Sequence, residues 1–479
     1  MDKFVLKLNM IMNTRKEHDF LGELEIPENA YYGIQTFRGM ENFHITGVPI
    51  MSEPLMVAAL GYVKKAAAMA NRDLGVFDEH FAEYIIKASE RVIAGEFNNE
   101  FLTDLIQGGA GTSVNMNANE VIANIALEMM GRKKGEYDFC HPNNHVNCSQ
   151  STNDAYPTAF RIALLNKLSA YEVVIAKLAD AFEAKGLEFI NILKMGRTQL
   201  QDAVPMSLGD EFIAYAVTLR EELLRIDDMK GLLSEINMGA TAIGTGVNAP
   251  KNFAEVCTRH LCDLTGLRLK VAHNLIEATV DTGAYVMLSG VLKRTAIKIS
   301  KICNDLRLLS SGPRCGFNEI NLPSMQPGSS IMPGKVNPVI PEMVNQTAFY
   351  VIGADVTITM AAEAGQLQLN VMEPVIAFSL FTSITFMMRA LDTLREKCII
   401  GITANESITR NMVLNSIGIV TLLNPVLGYE KSAAMAAEAL KTGKTIRQLA
   451  VREHKYITQE KWDEIFSFEN LINPNFITK

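Results

Sequence analysis

The sequence predicts a mainly α-helical protein built around a central bundle of long helices, and three observations carry that prediction. Proline is absent from residues 158–204, 206–249, 251–312 and 342–373, so helices can run through these spans without a breaker. Within them apolar residues recur at helical spacing. Leu288, Val291, Leu292, Ile299, Ile302, Leu306 and Leu309 form one stripe, while Lys293, Lys298 and Lys301 fall elsewhere. Strand signals are sparse, and low β content is expected.

Taken in chain order, the first part (to about Asn153) mixes turns with helices, one of them over residues 120–130. The central part predicts a continuous helix from about Asn274 to Ser310, roughly 55 Å long at 1.5 Å per residue. A rod of that length cannot be covered by one domain of ordinary girth, so several must pack side by side and leave apolar surface for subunit association. Beyond about Ile408 the pattern gives short helices, over 431–441 and 446–452. The expected division is residues 1–152, a mixed and mostly helical domain; residues 153–407, the long-helix bundle; and residues 408–479, a small helical domain.

Composition narrows the functional classes. The 479 residues are 48% hydrophobic and 20% charged, with a formal net charge of −8, too apolar for disorder and able to bury a large core. No basic run marks a nucleic-acid face. Seven cysteines without pairing logic (Cys140, Cys148, Cys257, Cys262, Cys303, Cys315 and Cys398) fit reduced thiols and a cytoplasmic location. The weakly apolar N-terminus is interrupted by Lys7 and Asn9 and lacks a small-residue cleavage site, so it is not expected to be a leader. The apolar run from Val375 to Met388 is shorter than the roughly 20 residues a bilayer needs, and a soluble protein without a membrane partner is expected.

Four polar segments carry chemistry. GSSIMPGKVNPV (residues 328–339) sets two hydroxyls, an ammonium and an amide in a Gly/Pro-hinged loop between helices, the composition of a lid over a reaction. GGAGTS (108–113) offers glycine-exposed backbone N–H groups and two hydroxyls; a helix N-cap turn explains it equally well, and no phosphate-loop Lys follows. SQSTND (149–154) holds more capping side chains than one helix start uses, a surplus suited to a carboxylate at the positive end of a helix. GRTQLQDAVP (196–205) reads as a tight turn between two long helices, or as a second edge of an anion pocket. CHPNNHVNC (140–148) has the residue types of a metal site but none of the usual zinc spacings, and no metal is expected there.

In this order, GTSVNMNANEVIAN, HPNNHVNCSQSTNDAYPT, GRTQLQDAVP, MGATAIGTGVNAP and the highly specific GSSIMPGKVNP resemble the aspartase/fumarase superfamily, from about Glu17 almost to the C-terminus. The resemblance implies a three-domain, mainly α subunit whose central long-helix bundle forms the core of a homotetramer with shared active sites. Gln199 stands where fumarases carry a histidine, and NPVIPEMVNQ reads as the aspartase rather than the fumarase branch. The implied reaction is reversible elimination of ammonia from L-aspartate, giving fumarate and ammonium. Its rivals are hydration of fumarate to L-malate, a lyase for a bulkier succinyl adduct, and a non-catalytic scaffold.

By the same resemblance Ser329 is the catalytic base, and Thr112, Ser151, Thr152, Asn153, Thr198, Ser330, Lys335 and Asn337 line the substrate site. No cofactor is implied. Divalent cations such as Mg²⁺ can stimulate such enzymes, although no ligand cluster in the sequence locates a site for one. Arg38 is left between two roles, touching substrate or bracing the N-terminal region.

Overall fold

Helices dominate the computed structural model, which describes residues 13–472. The N-terminal stretch whose lack of leader features was noted lies outside the described residues through Met12. The chain opens with a hairpin, β1 (Thr14–Asp19) and β2 (Gly22–Pro27), then α1 (Ile34–Asn42), α2 (Pro54–Asp73), α3 (Glu79–Ile93) and α4 (Thr112–Met129). The 37-residue α5 (Thr152–Glu188) leads into the hairpin β3 (Leu193–Thr198) and β4 (Gln201–Ser207) and then α6 (Leu208–Leu233). There follow β5 (Glu235–Ile236), α7 (Phe253–Thr265), β6 (Lys270–Val271), α8 (Glu277–Val280) and α9 (Gly283–Leu309). The remainder holds β7 (Ile320–Asn321), α10 (Val339–Glu363), α11 (Glu373–Lys397) and β8 (Thr403–Ala404). It ends in the short helices α12 (Glu406–Asn415), α13 (Asn424–Leu427), α14 (Tyr429–Thr442), α15 (Gln459–Ile465) and α16 (Phe468–Ile472). Among the described residues every sheet is two-stranded, as the sparse strand signals predict.

Two compact units divide the chain. The first comprises the described residues up to Glu172 with Leu224–Arg294 and Tyr350–Phe386; the second comprises Val173–Leu223, Thr295–Phe349 and the residues from Met387 onward. Inside the first, Phe160 packs against Tyr285 and Phe381 at ring-centroid distances of 4.7 and 5.3 Å. Inside the second, Leu193 and Met195 of β3 share a core with Met435, Leu449 and Trp462 of the C-terminal helices. That core anchors the β3–β4 hairpin, which matters below.

The stripe from Leu288 to Leu309 is buried throughout, but the helix bearing it starts later than expected. Asn274 Oδ1 accepts the N–H groups of Ile276 and Glu277 and starts the short α8. Asp281 is extended, and its carboxylate takes the N–H of Gly283 at 3.0 Å, so the backbone breaks before α9. These cap signals split the predicted rod, leaving α9 at 27 residues, roughly 40 Å.

The apolar run at Val375 also needs correction, because α11 continues to Lys397 and reaches 25 residues. The segment Glu373–Gly401 is long and apolar enough to cross a membrane, yet 61% of an apolar 18-residue window within it is buried inside the protein. Burial of Leu380, Phe381, Ile384 and Met387 marks a core helix; length alone does not decide the matter.

Of the two roles set out for Arg38, the structure displays the contacts of the bracing one. Its guanidinium forms a fork on Asp19, with Nε and Nη2 donating at 2.8 and 3.0 Å, and it also reaches the Gly22 carbonyl. Arg38 therefore ties α1 to the β1–β2 turn.

Candidate active site

Helix starts supply the first group of predicted residues. Thr112 opens α4, with Gly109, Ala110 and Gly111 before it in left-handed conformations at φ 88°, 57° and 91°. The hydroxyl of Thr112, which is exposed, donates to the Gly109 carbonyl at 2.7 Å. Gly111 is required twice over: its φ disfavours a side chain, and an added Cβ would sit 2.4 Å from the Tyr156 ring. Gly111→Ala is expected to lower stability by about 3 kcal/mol. Gly131→Ala, where the φ is also positive but nothing lies within 4 Å, is the control. Chemical denaturation of the two variants checks this, and equal losses would refute the packing argument.

Ser151 caps α5. Its Oγ accepts the N–H of Asn153 at 3.2 Å while its own N–H donates to Asp154 Oδ1 at 2.9 Å, a reciprocal capping box. Asn153 donates through its side chain to the Ala242 carbonyl at 2.7 Å. Pro157, inside this helix, leaves the Asn153 carbonyl without its usual N–H partner, and Asn237 Nδ2 fills the vacancy at 2.9 Å. Asn237 and the MGATAIGTGVNAP segment that follows it thus brace Asn153 at the start of α5.

Beneath them lies a buried polar network absent from the sequence expectations. Lys64, fully buried in the apolar helix α2, donates to Asn115 Oδ1, Asn147 Oδ1 and Gln150 Oε1 at 2.7, 3.0 and 2.9 Å. Asn115 Nδ2 then donates to Thr152 Oγ1 at 3.1 Å, which joins α4 to the start of α5. Burial pulls the Lys64 ammonium down to about 7, with Asp154 acting the other way. Burial pushes Asp154 up to about 6, against the N–H donors of Ser151, Thr241 and Gly239. A lone Lys on the apolar face of an otherwise hydrophobic helix was the available signal.

The CHPNNHVNC segment is a turn. His141 Nδ1 accepts the N–H groups of Asn143 and Asn144, and His145 Nδ1 accepts the N–H of His141. Burial raises the Cys140 thiol to about 12. Among the described residues no cluster of three His, Cys, Asp or Glu side chains could hold a metal ion.

The remaining predicted residues, Thr198, Ser329, Ser330, Lys335 and Asn337, belong to the second unit. GRTQLQDAVP is a β-hairpin between α5 and α6, where the sequence reads as a tight interhelical turn or as an edge of an anion pocket. Thr198 pairs with Gln201, and the two loop residues Gln199 and Leu200 both have positive φ (54° and 61°). That backbone matches a tight hairpin turn, but without Asn or Gly to announce it. Gln199 and Thr198 are exposed at its tip.

The lid loop is pinched at its base. Gly328 donates its N–H to the Lys335 carbonyl at 2.7 Å, and Asn337 Nδ2 donates to the Gly328 carbonyl at 2.7 Å. A Cβ at Gly328 would lie 2.7 Å from the Asn337 nitrogen. Ser329 Oγ accepts the N–H groups of Ile331 and Met332 at 3.2 and 2.9 Å. Such donors stabilise negative charge on the oxygen. Ser329 and Lys335 line one cavity of about 550 Å³ together with Met325, Met332 and Pro333. Ser330 and Lys335 are exposed, and Lys335 has no ion-pair partner among the described residues.

The first unit thus presents polar helix starts, and the second a serine oxygen that accepts two N–H groups in the loop that also bears Lys335. The chain belongs to the lyase family, which it matches over residues 22–353, with a fumarase C C-terminus over residues 419–473. Within that family it is 56% identical to the aspartate ammonia-lyase of Helicobacter pylori over 97% of this chain and 99% of the relative. It is 54% identical to that of Escherichia coli, covering 98% of each. These likenesses place it among the aspartate ammonia-lyases, which are carbon–nitrogen lyases. Among solved structures, a fumarate lyase:delta crystallin from Brucella melitensis superposes with a TM-score of 0.93 at 50% identity, covering 96% of this chain and 99% of that one. A class II fumarase from Schistosoma mansoni gives 0.91 at 35% identity, covering 97% and 100%.

Proposed function

We propose that this protein reversibly eliminates ammonia from L-aspartate to give fumarate, with Ser329 as the base. Ser329 Oγ takes the C3 proton, and the electron pair moves into the β-carboxylate to form an aci-carboxylate dianion. As this collapses, the C2–N bond breaks and the already protonated amine leaves as NH₃, so no general acid is needed. An ordinary serine hydroxyl is far too weak an acid to be ionised at neutral pH. The observation that carries the reading is the pair of N–H donors on Ser329 Oγ in the loop that also bears Lys335.

Thr112, Ser151, Thr152, Asn153, Thr198, Ser330, Lys335 and Asn337 bind the two carboxylates, mostly as neutral donors that leave the base unquenched. They are contributed by different subunits of a homotetramer. Exposed Phe349, Val356 and Met360, spaced along one face of α10, support association. Within each subunit we keep the three-domain division at residues 1–152, 153–407 and 408–479. No cofactor is required, and Mg²⁺ acts at most as a stimulator. The location is cytoplasmic, consistent with free thiols at all seven cysteines, and neither nucleic acid nor a membrane is a partner.

Incubation with fumarate, with and without ammonium, decides between this reaction and its nearest rival. L-Aspartate formed only when ammonium is present is the expected product. L-Malate formed without ammonium would establish a fumarate hydratase instead.

A further inference from the structure

Glu319 stands ten residues before the lid serine, and it is wholly buried. Its N–H donates to the Leu309 carbonyl at the end of α9, and its own carbonyl accepts the N–H of Asn405, each at 2.8 Å. The backbone at Glu319 is thus pinned on both sides just before β7 and the lid. Its carboxylate, however, faces the β3–β4 hairpin. Oε1 accepts from Arg197 Nη1 at 2.6 Å, and Oε2 lies 3.1 Å from the ammonium of Lys194. Lys194, itself 3% exposed, also donates to Glu211 Oε2 at 2.5 Å. The Arg197 guanidinium is further held over the Phe317 ring at 4.2 Å.

A buried carboxylate costs desolvation energy that its contacts must offset, and here they converge on one short strand. Arg197 is adjacent to Thr198 in sequence, and β3 carries a register irregularity between Met195 and Arg197. The strand therefore cannot set the position of Thr198 by regular pairing alone. The two-residue turn beyond it has positive φ at both Gln199 and Leu200, which leaves the exposed tip weakly determined by its own residues.

We infer that Glu319 is a positioning residue for the proposed reaction: acting through Arg197, with Lys194 as a second tether, it fixes the position of Thr198 at the end of β3. This rests on the ammonia-lyase reading and adds that the hairpin and the lid entry are registered by one buried carboxylate. It also accounts for two charges, on Lys194 and Arg197, that the substrate contacts leave unused.

The test is a double-mutant cycle on the full-length protein, read as kcat and KM for L-aspartate. Glu319→Gln keeps the shape but removes the charge, and kcat/KM is expected to fall about 100-fold, as small misplacements do. In a Thr198→Ala background the same change should cost less than about threefold, because the group it positions is gone. A residue that only supports the fold would cost the same in both backgrounds, and that outcome overturns the inference, as does a single variant within threefold of wild type. Should Glu319→Gln fail to fold by circular dichroism, Arg197→Lys is judged by the same two criteria, with a loss of about tenfold expected. Wild-type turnover is measured first. If L-aspartate is not consumed, the ammonia-lyase reading falls, and the cycle is run on whichever C4 dicarboxylate is turned over.

Discussion

Ser329→Ala should lower kcat for L-aspartate roughly a thousandfold or more, the range expected when a general base is removed, with little change in KM. The deleted oxygen accepts the N–H groups of Ile331 and Met332 in the present structure. Because Ile331 and Met332 are exposed, water can replace the lost acceptor, so the melting temperature should stay at the wild-type value. The pairing of these results is what matters: a loss of turnover without a loss of stability separates chemistry from folding. A variant that retains turnover within tenfold of wild type would remove Ser329 from the role of base.

Lys335→Ala should reduce kcat/KM for L-aspartate by about 100- to 1000-fold, the range seen when one preorganised electrostatic contact is lost. The effect should divide between a higher KM and a lower kcat, because the same charge attracts the dianionic substrate and stabilises charge that grows during proton removal. Lys335 is exposed and lies in the cavity that Ser329 also lines. The globally acidic chain, at −8, otherwise opposes a dicarboxylate. Lys335→Arg, which keeps the charge but changes its shape, should recover part of the binding and less of the rate. Unchanged kinetics in Lys335→Ala would show that the compensating charge acts from elsewhere.

The contrast between these two residues and the buried network illustrates what a single sequence discloses. Ser329, Ser330, Lys335 and Asn337 were visible because a loop of reactive side chains between glycines and prolines has no purpose in a core. Ser151 and Asn153 were visible as surplus capping groups, and both do cap or brace the start of α5. Lys64, Glu319 and Lys194 were not, although each is buried and each holds one of the predicted groups or its strand in place. In sequence a buried charge looks like a solvated one, and its partner lies between 17 and 122 residues away in the cases of Lys194–Glu211 and Arg197–Glu319. Local pattern carries no information about such pairings.

The GRTQLQDAVP hairpin and the break before α9 were misjudged for a related reason. Gln199 and Leu200 adopt backbone angles usually reserved for Asn and Gly, so the turn residues gave no warning. At Asp281 a single side-chain contact to Gly283 outweighs a helical apolar pattern that continues on both sides.

From its residues alone this protein is determined to be mainly helical with a polar, Gly/Pro-hinged loop at 328–339, because helical periodicity, proline spacing and loop composition act over a few residues at a time; the lyase family came from the likeness of its motifs to known sequences. The tertiary structure decided what holds those groups still: the Lys64 network beneath the α4 and α5 starts, and the Glu319 carboxylate behind the Thr198 hairpin. Pairing a buried charge pays off only when distant segments meet to satisfy it, and that meeting is a property of the whole fold.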